Sequence, residues 1–317
     1  MRFIELFAGI GGFRIGLEKA GGFSCVYSNE FDRYANSVYR RHFGECDIKD
    51  IRKVQPSELP ECDMVVGGFP CQPFSIAGQR KGFEDNRGDL FFEVIRIIKD
   101  KRPSIVLLEN VKGLLNIEKG QIFTEILRAF RELDYNVQCE LLDTARFEIP
   151  QHRERIFIIA TPREKRTPKI FPIGEIDSIF KKEDGDQCEG KEGICSTIDS
   201  RYGALRCCGE TYIQTKKKNL LAVPLKFLNR NQKNYQGEYC FTIDSVNTGG
   251  IMEDYNIRRL TPIETERLQG FEDGWTKYGH DGQEISDTRR YKMTGNAVST
   301  NVIKVIGERI NKTAEGG

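Results

Sequence analysis

MRFIELFAGIGGFRIGLEKA, residues 1–20, is the stretch that decides the fold. Residues 4–7 read as a strand. The run ends in Phe7-Ala8-Gly9-Ile10-Gly11-Gly12 before an amphipathic stretch over 12–20 that reads as a helix. Strand, glycine turn and helix form the opening unit of an α/β sheet, because the glycines let backbone amides and the helix N-terminus approach a ligand. Glu30 follows a second strand-like run at 24–28. That is near the offset of about 20 residues at which an acidic side chain takes a ribose hydroxyl. A tight turn without a ligand also needs glycine, so nucleoside binding and a plain structural turn both remain open here.

The same alternation continues outward. Residues 63–66 and 104–108 read as further strands, and 90–100 and 121–133 as amphipathic helices, the first with Asp89 as N-cap. Residues 137–142 and 155–160 look like two closing strands. The pattern predicts a doubly wound, Rossmann-like α/β sheet. Beyond residue 161 the character changes. Residues 165–255 are rich in Lys, Gly, Asn and Gln, show little periodicity and include Lys216-Lys217-Lys218. Two short segments there, 195–200 and 240–245, echo each other as Cys-x-Thr-Ile-Asp-Ser. Helical patterning returns at 261–269 and 301–310. The expected plan is an α/β domain, a small irregular insertion, and a C-terminal segment that returns to the first domain. Since the chain starts almost at its first strand, the helix at 301–310 is the candidate to cover the sheet there.

Composition sets the class. The 317 residues are 30% charged and 38% hydrophobic, as in an ordinary soluble protein. No apolar run reaches membrane length, and the first residues run into a strand rather than a secretion signal. Ten cysteines lie without paired spacing, which suits neither a disulfide framework nor a zinc knuckle and points to a reduced, cytoplasmic setting. A net charge of +1 neither demands nor excludes nucleic acid.

Chemistry concentrates at three places. Phe69-Pro70-Cys71-Gln72-Pro73-Phe74-Ser75 puts one cysteine on a proline-stiffened loop directly after the buried-strand run 64–68. A lone thiol at a strand end is a candidate nucleophile, although a cysteine there alone would more often be structural. Glu109-Asn110-Val111 closes the strand at 104–108. In a parallel sheet the carboxyl ends of the strands share one crevice, so Cys71 and Glu109 are expected close together. A carboxyl against an apolar wall has a raised pKa and can donate a proton; the alternative is a cap or a surface carboxylate. Gln151-His152-Arg153-Glu154-Arg155 leads into the last strand, whose alternation sends Arg153 and Arg155 to one face.

Together these pieces resemble the cytosine-5 DNA methyltransferase family. The glycine motif at 7–12, Glu30, Asp47-Ile48, Pro70-Cys71-Gln72, Glu109-Asn110-Val111, 151–155, Arg259-Leu260-Thr261-Pro262 with Glu264 and Arg267, and Gly295-Asn296-Ala297-Val298 occur in family order. The resemblance covers roughly 1–165 and 258–317, which it assigns to a catalytic S-adenosylmethionine-binding domain. It leaves 166–257 as a target-recognition domain. It implies that Cys71 adds as thiolate to C6 of a cytosine and that Glu109 holds or protonates N3. Arg155, with Arg153 in support, binds O2 and the catalytic loop. The base so activated takes the methyl of S-adenosylmethionine at C5. Cofactor contacts carry over to Phe7, Gly9, Ile10, Gly11, Gly12, Glu30, Phe31, Asp47, Ile48, Pro70, Leu90, Asn296 and Val298. Phe31 stands where some members have tryptophan, and a ring stacked on adenine tolerates that. Gln72, Ser75, Arg87, Gln151 and Thr242 become DNA contacts, and 72–87 the loop that closes on DNA. The target cytosine must be flipped out of the duplex.

Two other classes compete. Cytosine-5 tRNA methyltransferases share the Pro-Cys-Gln-Pro-Phe motif and a Cys-Phe-Thr element like Cys240-Phe241-Thr242. The continuation Ile243-Asp244-Ser245 and the turn Gly249-Gly250-Ile251 look more like a DNA-recognition domain. A zinc cytosine deaminase fails on sequence, because position 74 is Phe where its signature needs a second Cys. Arg201, Arg206, Arg230, Gln232 and Asn247 are residue types able to meet base edges. Cys188, Cys195, Cys207 and Cys208 have the wrong spacing for a zinc knuckle, and no metal is expected. Expected partners are double-stranded DNA and a cognate restriction endonuclease, with the chain itself a monomer.

Overall fold

A computed structural model describes residues 1–70, 90–164, 169–173, 221–224, 249–253 and 256–315. Six strands form the main sheet: β1 (Arg2–Leu6), β2 (Ser24–Asn29), β3 (Met64–Gly68), β4 (Ile105–Val111), β5 (Tyr135–Asp143) and β6 (Glu154–Pro162), in the order β2-β1-β3-β4-β6-β5. The first four are mutually parallel. Strand β6 runs antiparallel to both β4 and β5.

Alternation along the strands explains why they read as unbroken apolar runs: both faces are covered. Phe3, Met64, Val66, Ile105, Leu107, Phe157 and Ile159 turn to one face. There α1 (Gly12–Ala20) and α7 (Thr300–Glu315) cover them with Phe13, Leu17, Val302, Ile303, Ile306 and Ile310. Ile4, Leu6, Val65, Val106, Leu108 and Ile158 turn to the other face, under Val94, Ile95, Ile98, Ile126 and Phe130 of α3 (Leu90–Lys101) and α4 (Gln121–Glu132). Each such side chain contributes about 1.5–3 kcal/mol on burial. The doubly wound sheet and the return of the last helix onto it both agree with the sequence reading.

The sequence reading leaves out two further helices. Helix α2 (Arg33–Phe43) starts where Asp32 accepts the N–H groups of Tyr34 and Ala35. Helix α6 (Asp287–Asn296) buries Arg290, Met293 and Thr294. Between them in space lies a third apolar cluster that joins Ile10, Ala35 and Val38 to Phe271, Ile285 and Met293. Helix α5 (Pro262–Arg267) opens with a capping box between Thr261 and Glu264. Strands β7 (Leu221–Pro224), β8 (Gly249–Glu253) and β9 (Asn256–Arg259) pair antiparallel in a second sheet.

The reversed strand brings a fifth segment to the functional end of the sheet. Parallel strands deliver their carboxyl ends to one rim; β6, running the other way, begins at that rim, with Arg155 paired to Val111. The exits of β1, β2, β3 and β4 and the start of β6 therefore meet.

Candidate active site

At that rim lies a cavity of about 420 Å3. Phe7, Gly9 and Ile10 from the glycine turn line it, with Glu30, Pro70, Glu109, Arg153, Arg155 and Asn296. Nine of the residues singled out in the sequence thus converge there from separate parts of the chain.

Glu30 fixes the turn. Its Oε2 accepts the Gly9 N–H (2.8 Å) and its Oε1 the Asp32 N–H (2.6 Å). Burial pushes its pKa up, and the two backbone N–H groups pull the other way. Gly9 has φ +56°, and a Cβ there would stand in open space facing no neighbour within 4 Å. A Cβ on Gly11 would strike the Phe43 ring at 2.3 Å, and one on Gly12 would meet the Val298 carbonyl at 2.6 Å. Gly11, Gly12 and the buried Val298 therefore hold the turn from behind rather than border the cavity. Phe31 and Ile48 are 68% and 50% exposed, unusual for large apolar side chains. Asp47 pairs with Asn29 as an isolated parallel bridge. Its carboxylate accepts from the Tyr27 hydroxyl (2.9 Å) and the Lys49 N–H (3.0 Å) and borders a second cavity, of about 640 Å3, instead of the first. Leu90 is partly buried at the start of α3 and is absent from the first cavity's lining.

Glu109 lies near the end of β4, 8% exposed, with Arg155 Nε 3.0 Å from its Oε1. Burial raises the Glu109 pKa above the ordinary carboxylate range, against the pull of Arg155 and Arg153. Asn110, next in line, donates from Nδ2 to the Phe69 carbonyl (3.0 Å) and so fixes the backbone two residues before Cys71. Arg153 is almost wholly buried, and its Nη2 donates to the carbonyls of Gly295 and Ala297, both at 2.9 Å. Of the two arginines expected on one face, Arg155 meets the carboxyl, while Arg153 ties the Asn296 loop to the sheet. Gln151, expected at the DNA, is fully buried and accepts from Gln269 Nε2 (3.1 Å). Cys71, Gln72, Ser75, Arg87 and Thr242 lie outside the described residues, as do Asp89 and the other base-reading and cysteine candidates of 165–248.

The sequence reading missed Asp32 and Lys292, an ion pair of 2.8 Å in which both residues line the cavity. Asp32 was legible as a helix cap; nothing in the pattern around Lys292 marks it. Among the described residues no cluster of three metal-ligating side chains occurs, and no helix is long and apolar enough to cross a membrane.

Comparison with known proteins accounts for this arrangement. The family model described as C-5 cytosine-specific DNA methylase matches residues 1–312. The type II methyltransferase M1.ScrFI of Lactococcus lactis subsp. cremoris is 35% identical over 330 residues, covering 99% of this chain and 79% of the relative. M.HhaI of Haemophilus parahaemolyticus, also a type II methyltransferase, is 34% identical over 331 residues, covering 99% and 95%. In fold, the chain is similar to the crystal structure of S. pombe Dnmt2 methyltransferase, with TM-score 0.65, 20% identity and coverage of 100% and 99%. A rim that joins a glycine turn, a buried carboxyl and two arginines, on a chain matched along almost its whole length, identifies it: the chain belongs to the C-5 cytosine-specific DNA methylase family and is a DNA (cytosine-5-)-methyltransferase.

Proposed function

We propose that the chain methylates C5 of a cytosine flipped out of a short, specific sequence of double-stranded DNA. It does so with S-adenosylmethionine and through a covalent bond between Cys71 and C6. The observation that carries this reading is that the Glu30–Gly9 turn and the Glu109–Arg155 pair border one cavity. A nucleoside-type cofactor and a base thus have adjoining places.

The residues present fit the cofactor. The open side of Gly9 leaves room for it, Glu30 lines the cavity with one oxygen on the Gly9 N–H, and Phe31 and Ile48 carry uncovered apolar surface. Phe7, Gly9, Ile10, Glu30, Phe31, Ile48, Pro70 and Asn296 are the residues we assign to hold it. When bound, it supplies a methyl group activated by its sulfonium. Cys71 would attack C6 as the thiolate, whose fraction rises beside positive charge because a free thiol titrates near about 8.5. Glu109, lifted above the carboxylate range by burial, would carry a proton at N3 and so remove the charge that opposes attack. Arg155 would orient Glu109 and bind O2 of the base. After transfer, loss of the C5 proton to a base breaks the Cys71–C6 bond and frees the thiolate. Flipping costs a few kcal/mol of stacking and pairing, which contacts from Gln72, Ser75 and Arg87 would offset.

Residues 166–257 are proposed as the recognition domain, with Thr242 its leading base-proximal residue, and 1–165 with 258–317 as the catalytic domain. The setting is a cytoplasmic restriction–modification pair in which the chain, as a monomer, protects DNA from a cognate endonuclease. The test is transfer of labelled methyl from S-adenosylmethionine to unmethylated genomic DNA, with tRNA alongside and Cys71→Ala as control. Label at C5 within one short motif, absent from the variant, supports the proposal. Label confined to tRNA, or undiminished in Cys71→Ala, overturns it.

A further inference from the structure

The chain contains one tryptophan, Trp275, and its place is unusual. It lies between α5 and α6, far in sequence from the glycine turn, yet its indole Nε1 donates to the Ile10 carbonyl at 3.0 Å. Ile10 is the residue of the turn that stands between two glycines with positive φ, Gly9 at +56° and Gly11 at +91°. The peptide after Ile10 has glycine on its far side, where rotation meets little steric resistance. Here the Ile10–Gly11 peptide is held at both ends: the Gly11 N–H donates to Ala8 O (2.9 Å), and the Ile10 carbonyl accepts from the indole.

The indole is itself fixed. His42 stacks on it at 3.5 Å with the rings 4° from parallel, and His42 Nε2 donates to the Trp275 carbonyl at 2.8 Å. On either side in sequence, the N–H groups of Gly274 and Thr276 are both taken by the carboxylate of buried Glu266, at 2.7 and 2.9 Å. A rigid donor thus reaches across from the C-terminal segment to a peptide that the turn itself holds only through its Gly11 N–H.

We propose that Trp275 is a positioning residue that sets the Ile10–Gly11 peptide for the cofactor, and that its fluorescence reports cofactor binding. This rests on the reading of the 420 Å3 cavity as the cofactor site. The role is separate from chemistry, because the indole is not among the cavity-lining residues and touches the turn from outside. Removing the donor leaves the peptide held through its Gly11 N–H alone, so part of its order must be gained at each binding event, which weakens the cofactor without altering the reacting groups.

The experiment is calorimetric titration of the full chain and of Trp275→Phe with S-adenosylhomocysteine, with melting curves of both ligand-free proteins. Tryptophan emission of the unsubstituted chain is followed through the same titration. The expected results are a melting temperature near that of the parent, a Kd raised about tenfold, the net worth of one hydrogen bond, and an emission change that saturates with the calorimetric binding. In turnover, KM for S-adenosylmethionine should rise with kcat held. Equal Kd in the two proteins overturns the proposal, as does emission that stays constant while calorimetry shows saturation. The emission arm decides even where Trp275→Phe fails to fold. Absence of any binding by the unsubstituted chain removes the cofactor reading and the proposal together, an outcome distinct from either of the others.

Discussion

Two regions of this molecule bury a glutamate against an arginine, and they do opposite things with it. Glu109 meets Arg155 at 3.0 Å on the wall of a cavity, with its pKa raised by burial. Glu266 meets Arg290 at 2.9 Å with no exposure at all, and its oxygens also take the Gly274 N–H, the Thr276 N–H and the Thr276 hydroxyl. The first carboxyl has room beside it for a substrate atom. The second is enclosed by donors and anchors a loop. A buried ion pair therefore carries no functional meaning by its chemistry alone; what surrounds the carboxyl decides.

The comparison can be broken most sharply by activity. Glu109→Gln should cut methyl transfer by about 10²–10⁴-fold, the usual worth of a positioned acid–base group, while the melting temperature stays within a few degrees. A loss of activity that merely tracks a loss of stability would make Glu109 another Glu266. The converse substitution, Glu266→Gln, should destabilise in a denaturant titration by up to about 3–5 kcal/mol, because buried Arg290 loses its enclosed partner and keeps only the exposed Asp287 carboxylate at 3.4 Å. At temperatures where that variant stays folded, its kcat should match the parent.

A third buried carboxyl sharpens the contrast. Glu5, unexposed in β1, accepts from the Tyr39 hydroxyl (2.8 Å) and the Arg14 N–H (3.3 Å), and burial pushes its pKa up to about 8. The folded chain therefore holds this proton where the unfolded chain has released it. The stability it contributes is complete below the ordinary glutamate pKa of about 4.3 and is lost as pH rises through about 8. Glu5→Gln should gain on the parent steadily across that window, read as the difference between two curves of melting temperature against pH. Parallel curves would place Glu5 with the fully compensated class. The smallest effect belongs to the surface: Asp273→Asn, which breaks an exposed pair with Arg267, should cost less than about 1 kcal/mol by the same denaturant titration.

Much of this was readable in the sequence, for a physical reason. The strands are buried on both faces and so print continuous apolar runs, and α1 was placed residue for residue at 12–20. Phe7, Gly9, Glu30, Glu109 and Arg155 meet at the rim because strand ends must share it. Most of what escaped is held by polar contacts that leave no periodic trace. Helix α6 rests on buried hydrogen bonds of Arg290 and Thr294, whereas α2, capped by Asp32, does space Ala35, Val38 and Tyr39 as a helix and was passed over. Asp47 turns its carboxylate to Tyr27, Gln151 turns inward to Gln269, and Lys292 crosses 260 residues to Asp32. Partner choice of that kind depends on geometry between segments, which spacing along one segment does not encode.

The packing of α7 on α1 sets an order of events during synthesis. Phe3, Leu17 and Phe23 share a cluster with Val302, Ile303, Ile306 and Ile310, and the Asn311 side chain donates to the Gly21 carbonyl at 2.8 Å. A ribosome delivers the first group nearly three hundred residues before the second. Until α7 emerges, α1 alone shields that face of the first strand and its own apolar side stays half covered, so the enzyme closes its core only after almost all of the catalytic machinery has been made.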